Sequence, residues 1–196
     1  MRARDEHKEA IVKEKALEML VIQGFDGFSM QKLAKAASVS PATLYIYYKD
    51  KDDLIVRLGI DEGRKMTDAT FFKFDPSMSF DQGMRVQWKN RSSYWLQNPI
   101  SARYVEQIKH SPYREKVVET MSAEFKEVMG QFVRNAVINK ELVQVSIETY
   151  WTIAFAPLYN LLRFHQEGKS MGNRDFTFNE EVMNETLELV LKALKP

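Results

Sequence analysis

The sequence contains no cysteine, which excludes disulfide bonds, thiol catalysis and thiolate metal sites. Long apolar runs are missing as well. The longest, Trp151 to Leu162, is interrupted by Pro157 and Asn160 and is well short of the roughly 20 residues that a membrane-spanning helix needs. Neither sign of charge dominates, because 28 Lys and Arg residues stand against 27 Asp and Glu residues. The lack of cysteine and of a long apolar run predicts a cytoplasmic protein without a membrane span. The balanced charge argues against a surface that binds nucleic acid or another polyanion over a wide area.

Histidine is scarce, and its three positions do not predict a metal or catalytic site. His7, His110 and His165 are widely spaced, no pair has the four-residue spacing of two ligands on one helix face, and no cysteine could complete a zinc site. We interpret these residues as surface or hydrogen-bonded polar positions. Because no recognised catalytic motif is present either, the sequence predicts a protein that is not an enzyme and needs no cofactor.

Apolar residues make up 44% of the 196 positions, which is enough for a substantial core. They recur with helical spacing through almost the whole chain, whereas strand-like alternation with paired turn signals is missing. The pattern therefore predicts an all-α fold. The expected helices cover Asp5–Gln23, Met30–Ala37, Pro41–Tyr47, Lys51–Thr70, Phe80–Gln97, Ile100–Lys109, Tyr113–Asn139, Glu141–Gln166 and Asn179–Leu194.

Two of the short helices have well-marked starts and almost no chain between them. Ser29 and Ser40 stand where a side-chain oxygen caps a helix, and Pro41 follows at a first position, where the N–H that it lacks is not needed. Apolar pairs with hydrophobic-staple spacing flank both caps, namely Phe28 with Leu33 and Val39 with Leu44. Only Ser38–Val39 separates the helices, so the pattern predicts a helix-turn-helix.

The segment from Phe25 to Leu54, FDGFSMQKLAKAASVSPATLYIYYKDKDDL, resembles the DNA-binding domain of TetR-type transcriptional regulators. The similarity is dense and ungapped over residues 9–58, whereas the remainder is similar only in length and helical pattern. It implies a helix-turn-helix DNA-binding domain at residues 1–50 and a larger helical domain at residues 51–196 that binds a ligand and forms a homodimer.

The resemblance also implies which residues contact DNA. The first residues of the third helix would meet base edges in the major groove, Tyr45 would meet a base or the backbone, and Tyr47 and Lys51 would contact phosphates. Pro41 and Ala42 stand where Lys-Gly or similar pairs are frequent in the family, so a charge is replaced by apolar contact that suits a thymine methyl group. The implied DNA-binding residues are Gln31, Ser40, Pro41, Ala42, Thr43, Tyr45, Tyr47 and Lys51.

The helical spacing around these residues supports a solvent-exposed reading face. Leu44 and Tyr48 are four residues apart and are expected to pack inward, whereas Tyr45 falls off that face. The segment from Ser29 to Lys51 contains four lysines and one acidic residue, Asp50. Positive charge is therefore concentrated there, although the first 55 residues contain equal numbers of basic and acidic residues. The individual roles of Lys32 and Lys35 stay open between a solvated surface and a phosphate contact.

The C-terminal region is rich in aromatic residues that could line a ligand pocket. TetR-like proteins keep a ligand cavity among these helices, which implies a small-molecule inducer of apolar or aromatic character. Periodicity cannot separate pocket-lining residues from ordinary core. The candidate ligand-binding residues are Trp88, Arg91, Trp95, Tyr104, Phe125 and Tyr150.

The last predicted helix carries apolar residues over a wide arc, which calls for cover on two sides. The resemblance implies that the last two helices form a homodimer interface, so two recognition helices would enter successive major grooves about 34–36 Å apart. Together these features predict a repressor that binds a palindromic operator and is released by its inducer. The helix from Lys51 would transmit the change from the ligand-binding domain to the DNA-binding domain. Two alternatives stay open: a TetR-like DNA binder controlled by a protein partner, and an all-helical enzyme.

Overall fold

The computed structural model describes the backbone of residues 2–196 and the side chains of residues 7–120, 123 and 125–196. The fold is all-α, as predicted, and the described backbone contains helices but no strand, with one isolated bridge between Lys169 and Asp175. The helices are α1 (Arg2–Gly27), α2 (Met30–Ala36), α3 (Pro41–Tyr47), α4 (Lys51–Phe71), α5 (Phe80–Gln97), α6 (Pro99–Lys109), α7 (Arg114–Ile138), α8 (Ile147–Ala154), α9 (Ala156–Glu167) and α10 (Glu180–Leu194), with a 3₁₀ turn at Met171–Asn173.

The single helix predicted for Glu141–Gln166 is wrong. Residues 141–146 are not helical, and the remainder is divided into α8 and α9 at Phe155, whose φ of −129° leaves the helical region. The cause is Pro157, which has no N–H to donate to the carbonyl of Ile153 and restricts the residue before it. The apolar pattern alone could not show this break.

The first helix also differs from its predicted end at Gln23. Gly24 does take the left-handed conformation that favours glycine, with φ 70°, but it kinks α1 rather than ending it. One further helical turn reaches Gly27, and α2 starts only three residues later. The kink therefore lies just before the helix-turn-helix segment.

The chain forms two compact units. The first contains residues 1–65 and 98–122, so α6 and the start of α7 pack with the N-terminal helices. Its core is apolar and is formed mainly by fully buried side chains from α1 to α4 and α6, including Val12, Leu20, Leu33, Leu44, Leu54 and Tyr104. Because these units are defined by packing, the division into functional domains at residue 50 stays a prediction.

The second unit contains residues 66–97 and 123–196 and has an unusually aromatic core. Phe132 is fully buried, with its ring centroid 5.1 Å from that of Phe74 and 5.8 Å from that of Phe80. Gly83 permits this packing, because a Cβ atom there would lie 2.3 Å from the Phe132 ring. No helix among the described residues is both long and apolar enough to cross a membrane.

Candidate nucleic-acid interface and candidate ligand site

The turn between α2 and α3 is held by backbone hydrogen bonds. The Ala37 N–H donates to the Leu33 carbonyl at 2.8 Å, and the Val39 N–H donates to the Ala34 carbonyl at 3.0 Å. Ser38 has φ 54°, a left-handed conformation that is uncommon for a residue with a side chain. These bonds end α2 and redirect the chain within a few residues, as the sequence predicted.

Both predicted caps are confirmed by hydrogen bonds. Ser29 Oγ accepts from the Lys32 N–H at 3.2 Å, and Ser40 Oγ accepts from the Thr43 N–H at 3.1 Å. A 2.9 Å contact between the Ser40 and Thr43 hydroxyls adds to the second cap. The caps satisfy backbone donors at each helix start and thereby fix where α2 and α3 begin.

Helix α3 has one buried and one exposed face. Leu44 is fully buried and Tyr48, which ends the helix, is 3% exposed, whereas Tyr45 is 56% exposed. Burial raises the pKa of Tyr48 to about 12, which keeps its phenol neutral in the core. Of the predicted DNA contacts, Gln31, Ser40, Pro41, Ala42 and Tyr45 are exposed, and Thr43, Tyr47 and Lys51 are partly buried.

Charges near α3 divide into paired and unpaired ones. Asp50 Oδ1 accepts from the Asp53 N–H at 2.8 Å, so Asp50 caps α4. Lys32 Nζ donates to the Gly27 carbonyl at 2.8 Å, so this lysine supports the end of α1. No ion pair or side-chain hydrogen bond joins Lys51 to a residue whose side chain is described, so its ammonium is available to an external anion.

Two residues of this surface were not predicted. Ile46 is 78% exposed beside Tyr45, although an apolar side chain on a short helix is normally a core candidate. Its position two residues after the buried Leu44 could have indicated this exposure. Arg57 donates to Asp53 Oδ1 at 3.0 Å, an i,i+4 pair on α4 that the spacing could have indicated. It also donates to the Tyr47 carbonyl at 3.2 Å, a contact ten residues away that no local pattern indicates.

Five of the six candidate ligand residues lie in the second unit, and one of them is a buried arginine. Arg91 is only 4% exposed, and its Cζ lies 4.3 Å from the ring centroid of Phe155, 5.5 Å from that of Trp151 and 5.9 Å from that of Phe125. Its Nε and Nη2 donate to Gln87 Oε1 at 3.1 and 2.8 Å, and its Nη1 donates to the Tyr159 hydroxyl at 2.7 Å. The cluster is therefore a polar centre within aromatic packing.

Three further candidates of this unit are buried in its core. Trp88 is fully buried, and its Nε1 donates to the Ala154 carbonyl at 2.9 Å. Tyr150 is 1% exposed, and burial raises the pKa of its phenol. Trp95 lies with its ring centroid 5.3 Å from that of Tyr159.

Tyr104, the sixth candidate, does not join the others. It lies in the first unit, fully buried, and its hydroxyl donates to the Ile55 carbonyl at 2.8 Å. Its position in the sequence grouped Tyr104 with the aromatic residues of the C-terminal region. In the structure α6 packs with the N-terminal helices, so Tyr104 is hydrogen-bonded within the core of the first unit.

The histidines and acidic residues offer no metal centre within the part of the chain that the structure describes. His7 and His110 are exposed, and His165 Nδ1 accepts from the Phe178 N–H at 3.3 Å. The hydrogen bond of His165 agrees with its interpretation as a satisfied polar residue.

The capped helices α2 and α3 and the tight turn between them form a helix-turn-helix, the element with which many DNA-binding proteins enter the major groove. Residues 13–58 match the family model for bacterial regulatory proteins of the TetR family. A curated relative from Haemophilus influenzae, described as an uncharacterised HTH-type transcriptional regulator, is 33% identical over 95 residues, which are 48% of this chain and 50% of that protein. The chain thus covers half the length of this curated relative.

Solved structures extend the similarity of fold to the whole chain. A TetR family transcription regulator from Marinobacter aquaeolei VT8 is 27% identical with a TM-score of 0.76, and the match covers 100% of this chain and 99% of that one. A TetR-family transcriptional regulator from Haemophilus influenzae Rd is 19% identical with a TM-score of 0.80, over the full length of both chains. The chain is therefore similar to TetR-family transcriptional regulators, in sequence over the helix-turn-helix region and in fold over its whole length.

Proposed function

We propose that this regulator binds a palindromic operator as a homodimer, represses transcription there and is released when a small molecule binds the second unit. The observation that carries the proposal is the division of α3 into a buried face with Leu44 and an exposed face with Pro41, Ala42 and Tyr45. Side chains at the start of such a helix are those that reach base edges in the major groove. Lys51, which has no described anionic partner, supplies a phosphate contact beside them.

The experiment begins with genomic fragments that the purified protein retains, because the operator is unknown. Fluorescence anisotropy then compares wild type with Tyr45→Ala, Lys51→Ala and the double variant on the enriched site. We expect Lys51→Ala to weaken binding and to reduce the salt slope by about 1.8, because each protomer of the proposed dimer loses one phosphate contact worth about 0.9. Lys89→Ala is the matched control, because Lys89 is an exposed lysine of α5 in the second unit.

Unchanged specific affinity in the double variant would contradict the proposed interface. A loss of the same size in the Lys89→Ala control would also contradict it, because the effect would then reflect net charge rather than position. Circular dichroism of each variant separates lost contacts from lost folding, and both substituted side chains are at least partly exposed, so the fold should persist.

We propose that the homodimer forms through α8, α9 and α10, which occupy the last two helices predicted from the sequence. Leu189 of α10 is 64% exposed and Ile147 of α8 is 58% exposed, although other apolar residues of α10 are buried within the unit. Exposed apolar side chains of this size on neighbouring elements favour a protein partner. Analytical ultracentrifugation should find a dimer that Leu189→Glu converts to monomer, and a wild-type monomer at micromolar concentration would contradict the dimer.

The proposed response to a ligand follows from linkage. A ligand shifts a regulator between states only if it binds them differently, typically by about 1–3 kcal/mol. Helices α4 and α7 each contribute residues to both units, so the chain itself continues from the proposed sensor into the proposed reader. A DNA-binding assay with and without candidate ligands tests this step, and control by a protein partner is favoured if no small molecule changes operator affinity.

A further inference from the structure

The buried cation Arg91 has no acidic partner among the described residues. Buried charges are normally paired, because removing a charge from water is unfavourable unless an opposite charge or enough hydrogen bonds replace the lost hydration. At 4% exposure, Arg91 instead contacts a neutral amide, a phenol and three aromatic rings. The rings attract a cation through their faces, but they provide no lone pairs for the N–H groups.

The hydrogen-bond inventory around Arg91 is short of acceptors. A guanidinium has five N–H donors, and three are used here, two on Gln87 Oε1 and one on the Tyr159 hydroxyl. The remaining two have no acceptor among the described residues. Gln87 shows the same shortage, because its Nε2 donates to Met129 Sδ, a weak acceptor, at 3.1 Å.

A second, independent donor without an acceptor lies on the same side of the cluster. Trp95 is 3% exposed, and its Nε1 has no hydrogen-bond partner in the described part of the chain. Trp95 stands four residues after Arg91 on α5, so both side chains share a helix face, and both contact Tyr159. Buried donors without acceptors are rare in folded proteins and call for a missing group.

We propose that Arg91 and Trp95 bind the carboxylate of an anionic ligand whose apolar or aromatic body packs against the neighbouring rings. A carboxylate presents about four lone-pair sites and a single negative charge, which match two free guanidinium N–H groups, one indole N–H and one uncompensated cation. A phosphate ester or nucleotide would bring more negative charge than this single arginine balances. The inference deepens the proposed function, because it rests on the second unit being the effector-binding unit, and it names the chemical class of the effector.

The test is calorimetric titration of the full chain with octanoate, decanoate, phenylacetate and 4-phenylbutyrate, each paired with its primary amide. The amide keeps the size and loses the charge. We expect at least one carboxylate to bind about 10- to 100-fold more tightly than its amide, the range for a charge-assisted hydrogen bond. Quenching or shift of tryptophan fluorescence gives a second readout, because Trp88, Trp95 and Trp151 all lie in this unit.

Arg91→Gln should reduce carboxylate affinity by a similar factor and leave amide affinity almost unchanged. Arg91→Lys should recover part of the affinity, because it keeps the charge but loses the planar fork. Lys89→Gln is the control, since it removes an exposed charge two residues away. Equal binding of carboxylates and amides, or unchanged affinity in Arg91→Gln, would overturn the proposal, as would the absence of saturable binding throughout the panel.

Operator binding separates this proposal from the proposed function. The ligand-free Arg91→Gln variant should bind operator DNA as wild type does, because the substitution lies outside the DNA-contacting surface. A carboxylate that binds through Arg91 but leaves operator affinity unchanged would support the anion site and contradict ligand-controlled repression. If Arg91→Gln does not fold, the comparison of each carboxylate with its amide on the native chain still decides the outcome.

Discussion

Gly83→Ala tests whether the aromatic core of the second unit is as tightly packed as the structure indicates. A Cβ atom at this position would lie 2.3 and 2.4 Å from two atoms of the Phe132 ring, about 1 Å closer than ordinary van der Waals contact. Phe132 cannot move away freely, because it is fully buried and packs against Phe74 and Phe80. Overpacking of this kind typically costs about 1–3 kcal/mol.

The opposing effect is helix propensity, because alanine is favoured over glycine by about 1 kcal/mol within a helix. The expected net result for Gly83→Ala is therefore a lower free energy of unfolding, by up to about 2 kcal/mol. Gly130→Ala is the matched control on α7. Its Cβ would meet only the flexible end of Arg134, at 3.0 Å, so the propensity gain should prevail and leave that variant as stable as wild type or more so.

Urea denaturation followed by tryptophan fluorescence measures this difference in the relevant unit, because all three tryptophans lie there. The midpoint should fall for Gly83→Ala and stay equal or rise for Gly130→Ala, with similar slopes for all three proteins. A Gly83→Ala protein as stable as the Gly130→Ala protein would refute the packing argument. In that case Phe132 would not be confined, and the core of the second unit would be packed more loosely than the structure indicates.

Three further predictions concern the first unit. Tyr104→Phe should lower the free energy of unfolding by about 1–2 kcal/mol, because the buried hydrogen bond from the Tyr104 hydroxyl to the Ile55 carbonyl is lost. Thermal denaturation measures the loss, and a smaller effect would show that this bond contributes little. Asp50→Ala should cost about 1 kcal/mol as a lost cap of α4, whereas Asp50→Ser should retain most stability in the same urea titration. Burial raises the pKa of Tyr48 to about 12, so the neutral phenol stabilises the fold below pH 10. That contribution to the free energy of unfolding is lost as the pH rises from 10 to 12. Tyr48→Phe should remove this part of the alkaline destabilisation.

The helix-turn-helix was predictable from sequence because its determinants are local. Ser29 and Ser40 cap helices that begin within one residue of them, and Pro41 fits a first turn regardless of what packs against it. Leu44 and Tyr48 are buried as their spacing indicates. Each of these features depends on residues fewer than six positions apart, so no knowledge of tertiary contacts was needed.

The ligand-site candidates were harder to predict because their partners are distant in sequence. Arg91 reaches Tyr159 and Phe155, more than 60 residues further along the chain, and no periodicity encodes such contacts. Tyr104 has the same aromatic character as the others, yet it bonds to Ile55 in the first unit. The break at Phe155 was also missed, since the apolar run around Pro157 has the composition of one continuous helix.

The two proposed anion contacts act in opposite electrostatic environments, which explains why a net charge of +1 predicts neither of them. Lys51 is partly exposed, so its attraction to phosphate is screened by water and salt and is useful only beside other contacts. Arg91 is buried, where screening is weak and a single charge is sufficient to distinguish an acid from its amide. Raising the salt concentration should therefore weaken operator binding steeply while changing carboxylate affinity little. Equal salt dependence of the two affinities would show that the carboxylate binds at the surface and not at Arg91.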